Sequence, residues 1–247
     1  MLTIGLQGAT GRTGKLVLEV VSEFSDVKLT HLSKRTPNGL KHFDVHGAQL
    51  NAGDNPDIWI DFSTPEASID LIHSIVDVKS SSGVIIATTG HSAEQLEFIK
   101  RSSAKIPILM APNTSLGVFA LKELTTLACT ILNSDDWQIH VEEAHHKFKK
   151  DAPSGTAKLL VAAAKDGRLC ADRPLDSVPT SSIRGGDIVG EHTVYLISNG
   201  ERVELTHRAT DRRIFARGSI ELAKVLSRQP AGIYGLTKEF FLGLKNT

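Results

Sequence analysis

Two adjacent histidines, His145 and His146, stand just ahead of Lys149, and the chain then runs Asp151-Ala-Pro-Ser-Gly-Thr-Ala157 into an apolar stretch from Leu159 to Ala164. Imidazole can donate or shuttle a proton near neutral pH, and a lysine ammonium supplies a mobile point charge. Ser154-Gly155-Thr156, following Pro153, reads as the opening of a helix, with Asp151 or Ser154 as its cap. Backbone N–H groups and the positive dipole end make such a helix start a ready site for a carboxylate or phosphate. The hydroxyls of Ser154 and Thr156 add donors. Together these residues predict a pocket for a small dianion with an acid catalyst beside it. Lys147 and Lys150 read as solvated charges. A metal reading fails on spacing, because Glu142, Glu143, His145 and His146 match neither HExxH nor a Cys/His cluster.

Trp137 to Ala144 must position this stretch. It reads as a strand with Ile139 and Val141 on one face. Neighbouring strand side chains point to opposite faces, so only a turn at the strand end brings both histidines to one ligand. Further on, Pro174 to Ser182 reads as a loop. Asn199-Gly200 separates two β-rich runs, Thr193 to Ser198 and Glu201 to His207, a hairpin signal. The expectation is an α+β domain with a mixed or mostly antiparallel sheet.

The first half has a different rhythm. Leu2 to Leu6 reads as a buried strand, Gly8-Ala9-Thr10-Gly11-Arg12-Thr13-Gly14 follows at once, and Leu16, Val17, Val20, Val21 and Phe24 recur at helical spacing. Strand, glycine turn and helix in that order are what a dinucleotide site needs: a tight turn, a close approach to the pyrophosphate, and close helix-on-strand packing. Val27 to Leu32 reads as the second strand, with Lys34-Arg35 just past its end, about 20 residues after Gly14. Two cations there suit a 2′-phosphate and favour NADPH over NADH; the alternative is a solvated pair in a loop. Thr36 to Asn55 reads as an irregular connection with one weak strand. Strands at Ile58–Phe62, Gly83–Thr88 and Ile106–Met110 alternate with helices at Glu66–Val76 and Ala93–Ser103. The alternation predicts a parallel sheet with ligands beyond the carboxyl ends of its strands. Loops rich in Ser, Thr, Asn and Gly stand at those ends, at Asp61-Phe-Ser-Thr-Pro65, Ala87-Thr88-Thr89-Gly90 and Ala111-Pro112-Asn113-Thr114-Ser115. Leu116 to Leu132 reads as a helix bridging into the second domain. Phe215 to Ser227 reads as a helix, and Ile233 to Leu244 as a last strand or short helix back in the first.

The fold class expected is therefore α/β: a Rossmann-like dinucleotide-binding domain (1–115 and 217–247) with a parallel sheet, plus an α+β domain (116–216). Over 247 residues, Lys plus Arg equals Asp plus Glu at 28 each, so nothing global steers the chain toward nucleic acid or acidic membranes. Cys129 and Cys170 have no metal or disulfide spacing, which suits a reducing compartment. The N-terminal residues read as no signal peptide, and no stretch approaches the roughly 20 apolar residues of a membrane span. The expectation is a cytoplasmic protein.

Glu-Ala-His-His-Lys-Phe-Lys-Lys-Asp-Ala-Pro-Ser-Gly-Thr-Ala, from Glu143 to Ala157, resembles the signature of the 4-hydroxy-tetrahydrodipicolinate reductases, the dihydrodipicolinate reductases of bacterial lysine synthesis. Gly8 to Gly14, Asp61 to Pro65, Ala87 to Gly90, Ala111 to Thr114 and Gly185-Gly-Asp-Ile-Val-Gly-Glu-His192 extend the resemblance over nearly the whole chain. It implies reduction of a cyclic α,β-unsaturated imine, with hydride from NAD(P)H delivered to ring carbon C4 and a proton to C3. By it His145 is the proton donor and Lys149 its catalytic partner, while His146, Ser154, Gly155 and Thr156 hold the substrate's carboxylates. By it too, Gly8, Ala9, Thr10, Gly11, Arg12, Thr13, Ala87, Thr88, Thr89, Ala111, Pro112, Asn113 and Thr114 line the cofactor; Lys34 and Arg35 are added to them by their own position after the second strand, not by the resemblance. The resemblance implies a homotetramer assembled through the second domain's sheets, with no metal. Two departures stand out: some members carry an acidic residue where this chain has Lys34, and the connection from Thr36 to Asn55 is short. Competing expectations are another two-domain NAD(P)-dependent oxidoreductase acting on a small dicarboxylate or amino acid, or a non-catalytic NADPH sensor.

Overall fold

The computed structural model describes residues 1–36, 39–51 and 53–243. The chain divides into two compact units, Met1–Ser115 with Arg213–Thr247, and Leu116–Arg212. Each is built on one sheet.

In the first unit the strands are β1 (Leu2–Gln7), β2 (Val27–Thr36), β3 (Gly39–Asp44), β4 (Ile58–Asp61), β5 (Gly83–Ile86), β6 (Pro107–Met110) and β11 (Gly232–Gly235). Their order across the sheet is β11-β6-β5-β4-β1-β2-β3, and every pair is parallel except β2 with β3. The helices are α1 (Arg12–Val20), α2 (Pro65–Asp77), α3 (Ala93–Ser102), α6 (Arg213–Leu226) and α7 (Lys238–Leu242). Trp59, Ile86 and Ile108 of the sheet pack with Leu71, Ile72, Ile75 and Ile99 of α2 and α3 into a core from which water is excluded. Val17 and Val20 of α1 are buried, as are Ala216, Ile220, Leu222 and Leu226 of α6. The chain leaves β1 toward β2 on one side and later places β4 on the other, so the topological switch point lies between β1 and β4.

Four features depart from the sequence-based expectations. Lys34 and Arg35 lie inside β2, not beyond it, because β2 is prolonged by antiparallel pairing with β3, with Lys34 opposite Lys41. The connection from Thr36 thus holds a full strand. The chain re-enters the first unit at Arg213, not at residue 217, because α6 starts there and Arg213 pairs with Glu19 of α1 at 3.2 Å. The final segment forms both a strand, β11, and a short helix, α7.

In the second unit α4 (Leu116–Ile131) and α5 (Gly155–Cys170) cover a sheet of β7 (Gln138–His145), β8 (Thr180–Arg184), β9 (Gly190–Ser198) and β10 (Glu201–Ala209). The order is β10-β9-β7-β8, antiparallel but for the parallel pair β7–β8, so the sheet is mixed. β9 and β10 form the Asn199-Gly200 hairpin, with Gly200 at φ 86, a conformation that favours glycine. Ile139, Val141, Val194 and Leu196 face Leu121, Leu160 and Ala164 in the core. β8 is the fourth departure: Thr180 to Ser182 were expected in a loop. Their hydroxyl side chains hide the apolar alternation of a strand, and parallel pairing with β7 supplies the order that propensity does not.

Candidate active site

In the second unit the strict alternation of β7 puts Ile139, Val141, Glu143 and His145 on its inward face. Glu143 is 1% exposed and stays ionised. Burial pushes its carboxyl up, but hydrogen bonds from Arg184, Ser182 and His145 outweigh that and hold it at about 2. Arg184, at the end of β8, grips both oxygens, with Nη1 donating at 2.8 Å to Oε2 and Nη2 at 2.7 Å to Oε1. Nδ1 of His145 lies 2.5 Å from Oε2 of Glu143. Burial lowers the His145 pKa below the ordinary histidine value, and the Glu143 carboxylate opposes that shift.

Ser154 joins this group to the helix start. It is the N-cap of α5, its hydroxyl accepting from the Ala157 N–H at 3.1 Å. The same oxygen lies 3.1 Å from Nε2 of His192, and the Ser154 N–H donates to Oε1 of Glu143 at 3.3 Å. His192 comes from β9, and burial lowers its pKa to about 4, so at neutral pH it is an uncharged hydrogen-bonding partner. The Ser154 hydroxyl is thus engaged within the unit, and Gly155 and Thr156 form the first turn of α5, whose positive dipole end favours an anion.

Lys149 is partly buried and pairs with Asp151 at 2.8 Å. Lys147, Phe148 and Lys150 are exposed. Nδ1 of His146 is buried without a hydrogen-bond partner among the described residues, which marks a polar atom suited to a ligand. The structure therefore gathers His145, His146, Lys149, Ser154, Gly155 and Thr156 around the β7–α5 connection. Sequence reasoning missed Glu143 as a partner of His145, and Arg184, His192 and Gly190 besides. The two-residue spacing of Glu143 and His145 on a strand was the available signal.

In the first unit the turn after β1 sits at the switch point. Gly8 has φ 84, and a Cβ there would overlap the carbonyl oxygen of Phe62 after β4; a Cβ at Gly14 would overlap that of Gly8. Gly11 caps α1 with no side-chain hydrogen bond, and the first turn of α1 carries no acidic residue. A cavity of about 580 Å³ opens alongside, lined by Gly8, Ala9, Thr10, Ser33, Lys34 and Phe43 among others. A tight turn, an uncapped helix start and an adjoining cavity fit a dinucleotide. Arg12 and Thr10 are exposed and Thr13 half-buried. Lys34 is exposed at the cavity; the Arg35 side chain lies outside the described residues.

The other loops meet the same sheet edge, though two of their side chains turn inward. The Thr88 hydroxyl donates to Oδ2 of the buried Asp61 at 3.0 Å, and that of Thr114 donates to the Phe215 carbonyl at 2.7 Å. Asp61 also accepts from Gln7 and from the Ser63 and Ser68 hydroxyls, so it knits the strand ends together. Thr89 and Pro112 are exposed, Ala87 and Asn113 half-buried, and Ala111 buried. Among the described residues no group of three or more His, Cys, Asp or Glu could hold a metal ion, and no helix is long and apolar enough to cross a membrane.

The first unit's residues 2–114 match the family model "Dihydrodipicolinate reductase, N-terminus", and residues 117–240 match "Dihydrodipicolinate reductase, C-terminus". The chain belongs to the dihydrodipicolinate reductase family. Among curated family members it is 38% identical to the 4-hydroxy-tetrahydrodipicolinate reductase of Sulfurimonas denitrificans, covering 96% of this chain and 98% of that one. It is 39% identical to the enzyme of that name from Zymomonas mobilis over 94% of each chain. The fold is shared with a dipicolinate-bound dihydrodipicolinate reductase from Paenisporosarcina (TM-score 0.78, 19% identity, 95% and 97% covered). It is shared more distantly with a C. glutamicum DAP dehydrogenase in complex with DAP (TM-score 0.59, 12% identity, 99% and 96% covered).

Proposed function

We propose that this chain reduces 4-hydroxy-tetrahydrodipicolinate, through its dehydrated cyclic imine, to tetrahydrodipicolinate in lysine and diaminopimelate biosynthesis, acting in the cytoplasm with NAD(P)H. The observation that carries this is the identity of 38% along 96% of the chain with a reductase of that name. When bound, the reduced nicotinamide supplies the hydride that C4 of the substrate ring receives. His145 protonates C3 from its ring nitrogen. A dianionic substrate beside His145 raises the imidazole pKa, since nearby negative charge favours the protonated form. This opposes the lowering by burial. Lys149 adds positive charge as C3 takes up its proton. His146 and the α5 start at Gly155 and Thr156, which Ser154 caps, hold the two carboxylates, by N–H donation and the helix dipole.

In the first unit, Gly8 to Thr13 bind the pyrophosphate, and the loops at Ala87–Thr89 and Ala111–Thr114 border the nicotinamide half. NADPH is preferred to NADH. Lys34 is exposed at the edge of the cavity beside the glycine turn, where a cation suits a 2′-phosphate. The decisive assay supplies the product of the preceding synthase and follows loss of reduced-nicotinamide absorbance. Turnover is expected with both cofactors, with kcat/KM higher for NADPH. No turnover with either would end the proposal, and equal values would end the preference.

The enzyme is a homotetramer, joined through the face of the second sheet that α4 and α5 leave uncovered. That face carries Ile197, which is 38% exposed, and Ile183, which is 47% exposed. Sedimentation equilibrium is expected to return the mass of four chains; a single-chain mass at micromolar concentration would remove this assembly.

A further inference from the structure

An imidazole delivers its proton in a fixed direction only when one ring nitrogen is committed to a partner and the other is open. At His145 the two nitrogens are unequal. Nδ1 is engaged by Glu143 at 2.5 Å. On the Nε2 side stands Gly190, where an added Cβ would lie 3.1 Å from that nitrogen, so the missing side chain keeps the approach open. Glu143 is held in turn. Arg184 binds both of its oxygens, and the Ser154 N–H reaches Oε1. Arg184 is itself anchored, with Nη2 donating to the Asp151 carbonyl at 2.6 Å.

We propose that Glu143, locked by Arg184, is the positioning residue of the acid: it holds the Nδ1–H of His145, so that Nε2 is the atom that releases the proton. This rests on the reading of His145 as the acid. In the step, the Nε2–H bond breaks and the proton joins C3 of the reduced ring. The imidazolium becomes neutral imidazole with its remaining proton on Nδ1, and solvent restores the lost one. Glu143 stays a carboxylate throughout, because Arg184 matches its charge.

The charged and titratable groups around His145 are Glu143 on its own strand, Arg184 from β8, His192 from β9 at 5.1 Å between ring centroids, and Lys149 from the following turn. Of these, Glu143 raises the pKa of His145, while burial, Lys149 and Arg184 lower it. Glu143→Gln removes the carboxylate and nearly keeps its shape, so the His145 pKa falls. The reaction needs the protonated ring, so the limb on which kcat declines with rising pH moves to lower pH.

The experiment measures kcat and KM against pH for wild type, Glu143→Gln and Glu143→Asp, together with the ¹⁵N shifts of the His145 ring in the protein without cofactor or substrate. Glu143→Gln is expected to lower kcat at neutral pH roughly 10- to 100-fold with little change in KM, as loss of an orienting partner does. It is also expected to move the limb down by about one unit or more. Glu143→Asp, which keeps the charge, should restore part of both. In wild type the neutral ring should carry its proton on Nδ1; in Glu143→Gln it should be mixed. A folded Glu143→Gln protein with the wild-type pH profile and an unaltered tautomer would overturn the proposal. If Glu143→Gln does not fold, the wild-type ring decides: a neutral ring with its proton on Nδ1 supports the proposal, and one with its proton on Nε2 overturns it. Wild-type protein that fails to turn over would count against the function instead, while the ring shifts would still decide the pairing.

Discussion

Replacing His145 with glutamine is expected to lower kcat about 10²- to 10⁴-fold, the usual contribution of a general acid, while NADPH affinity stays at the wild-type value. Glutamine can still donate to Glu143, so the buried carboxylate keeps a partner and the unit keeps its fold. What it cannot do is release a proton near neutral pH. His145 belongs to the second unit and the glycine turn to the first, which is why the two readouts should separate. Single-turnover absorbance traces give the chemical step, and fluorescence titration of bound NADPH gives the affinity. A variant that turns over at the wild-type rate would remove His145 from the mechanism. A parallel loss of NADPH affinity would show instead that the substitution had damaged the protein at large.

Gly8→Ala is expected to weaken NADPH binding by about tenfold or more, a loss of at least 1.4 kcal/mol, and to lower Tm. Two causes act together. The residue has φ 84, which costs an alanine on the order of 1–2 kcal/mol. The new methyl would also overlap the Phe62 carbonyl, so the turn must move away from β4 at the position where the pyrophosphate is cradled. Gly200→Ala separates these causes: its φ is 86 but nothing lies within 4 Å of the added carbon, and it sits in the hairpin of the other unit. Calorimetry should show it lowering Tm with no effect on NADPH binding. Equal affinities for Gly8→Ala and wild type would mean that the turn does not hold the cofactor.

Most of the scaffold was legible because its signals are local. Glycines between a hydrophobic strand and a helix of period 3.6, and Asn-Gly between two β-rich runs, each carry their meaning within a few residues. What escaped depends on partners far along the chain. Lys34 and Arg35 read as a loop because nothing in Val27 to Leu32 announces that β3 will prolong the strand. Thr180 to Ser182 become a strand only through β7, about forty residues earlier. The site divides in the same way. His145, His146, Lys149 and the α5 start lie within one stretch and were found together. Glu143, two residues from His145, was within reach through the period of a strand. Arg184 and His192 were not, since their contacts span separations of 41 and 38 residues.

The position of Ser154 bears on whether this chemistry can be transplanted. Its hydroxyl caps α5 and meets His192, while its N–H meets the carboxylate that Arg184 grips. The contiguous segment from Glu142 to Ala157 therefore carries the reacting groups and Glu143, but not Arg184 and His192, which hold Glu143 and Ser154 in place. Grafted as a loop into another sheet, it would bring a buried glutamate with no counter-charge and a helix cap without its imidazole neighbour. The smallest portable piece is the three-stranded set β8-β7-β9 with the start of α5, and a designer moving this acid would have to move the sheet.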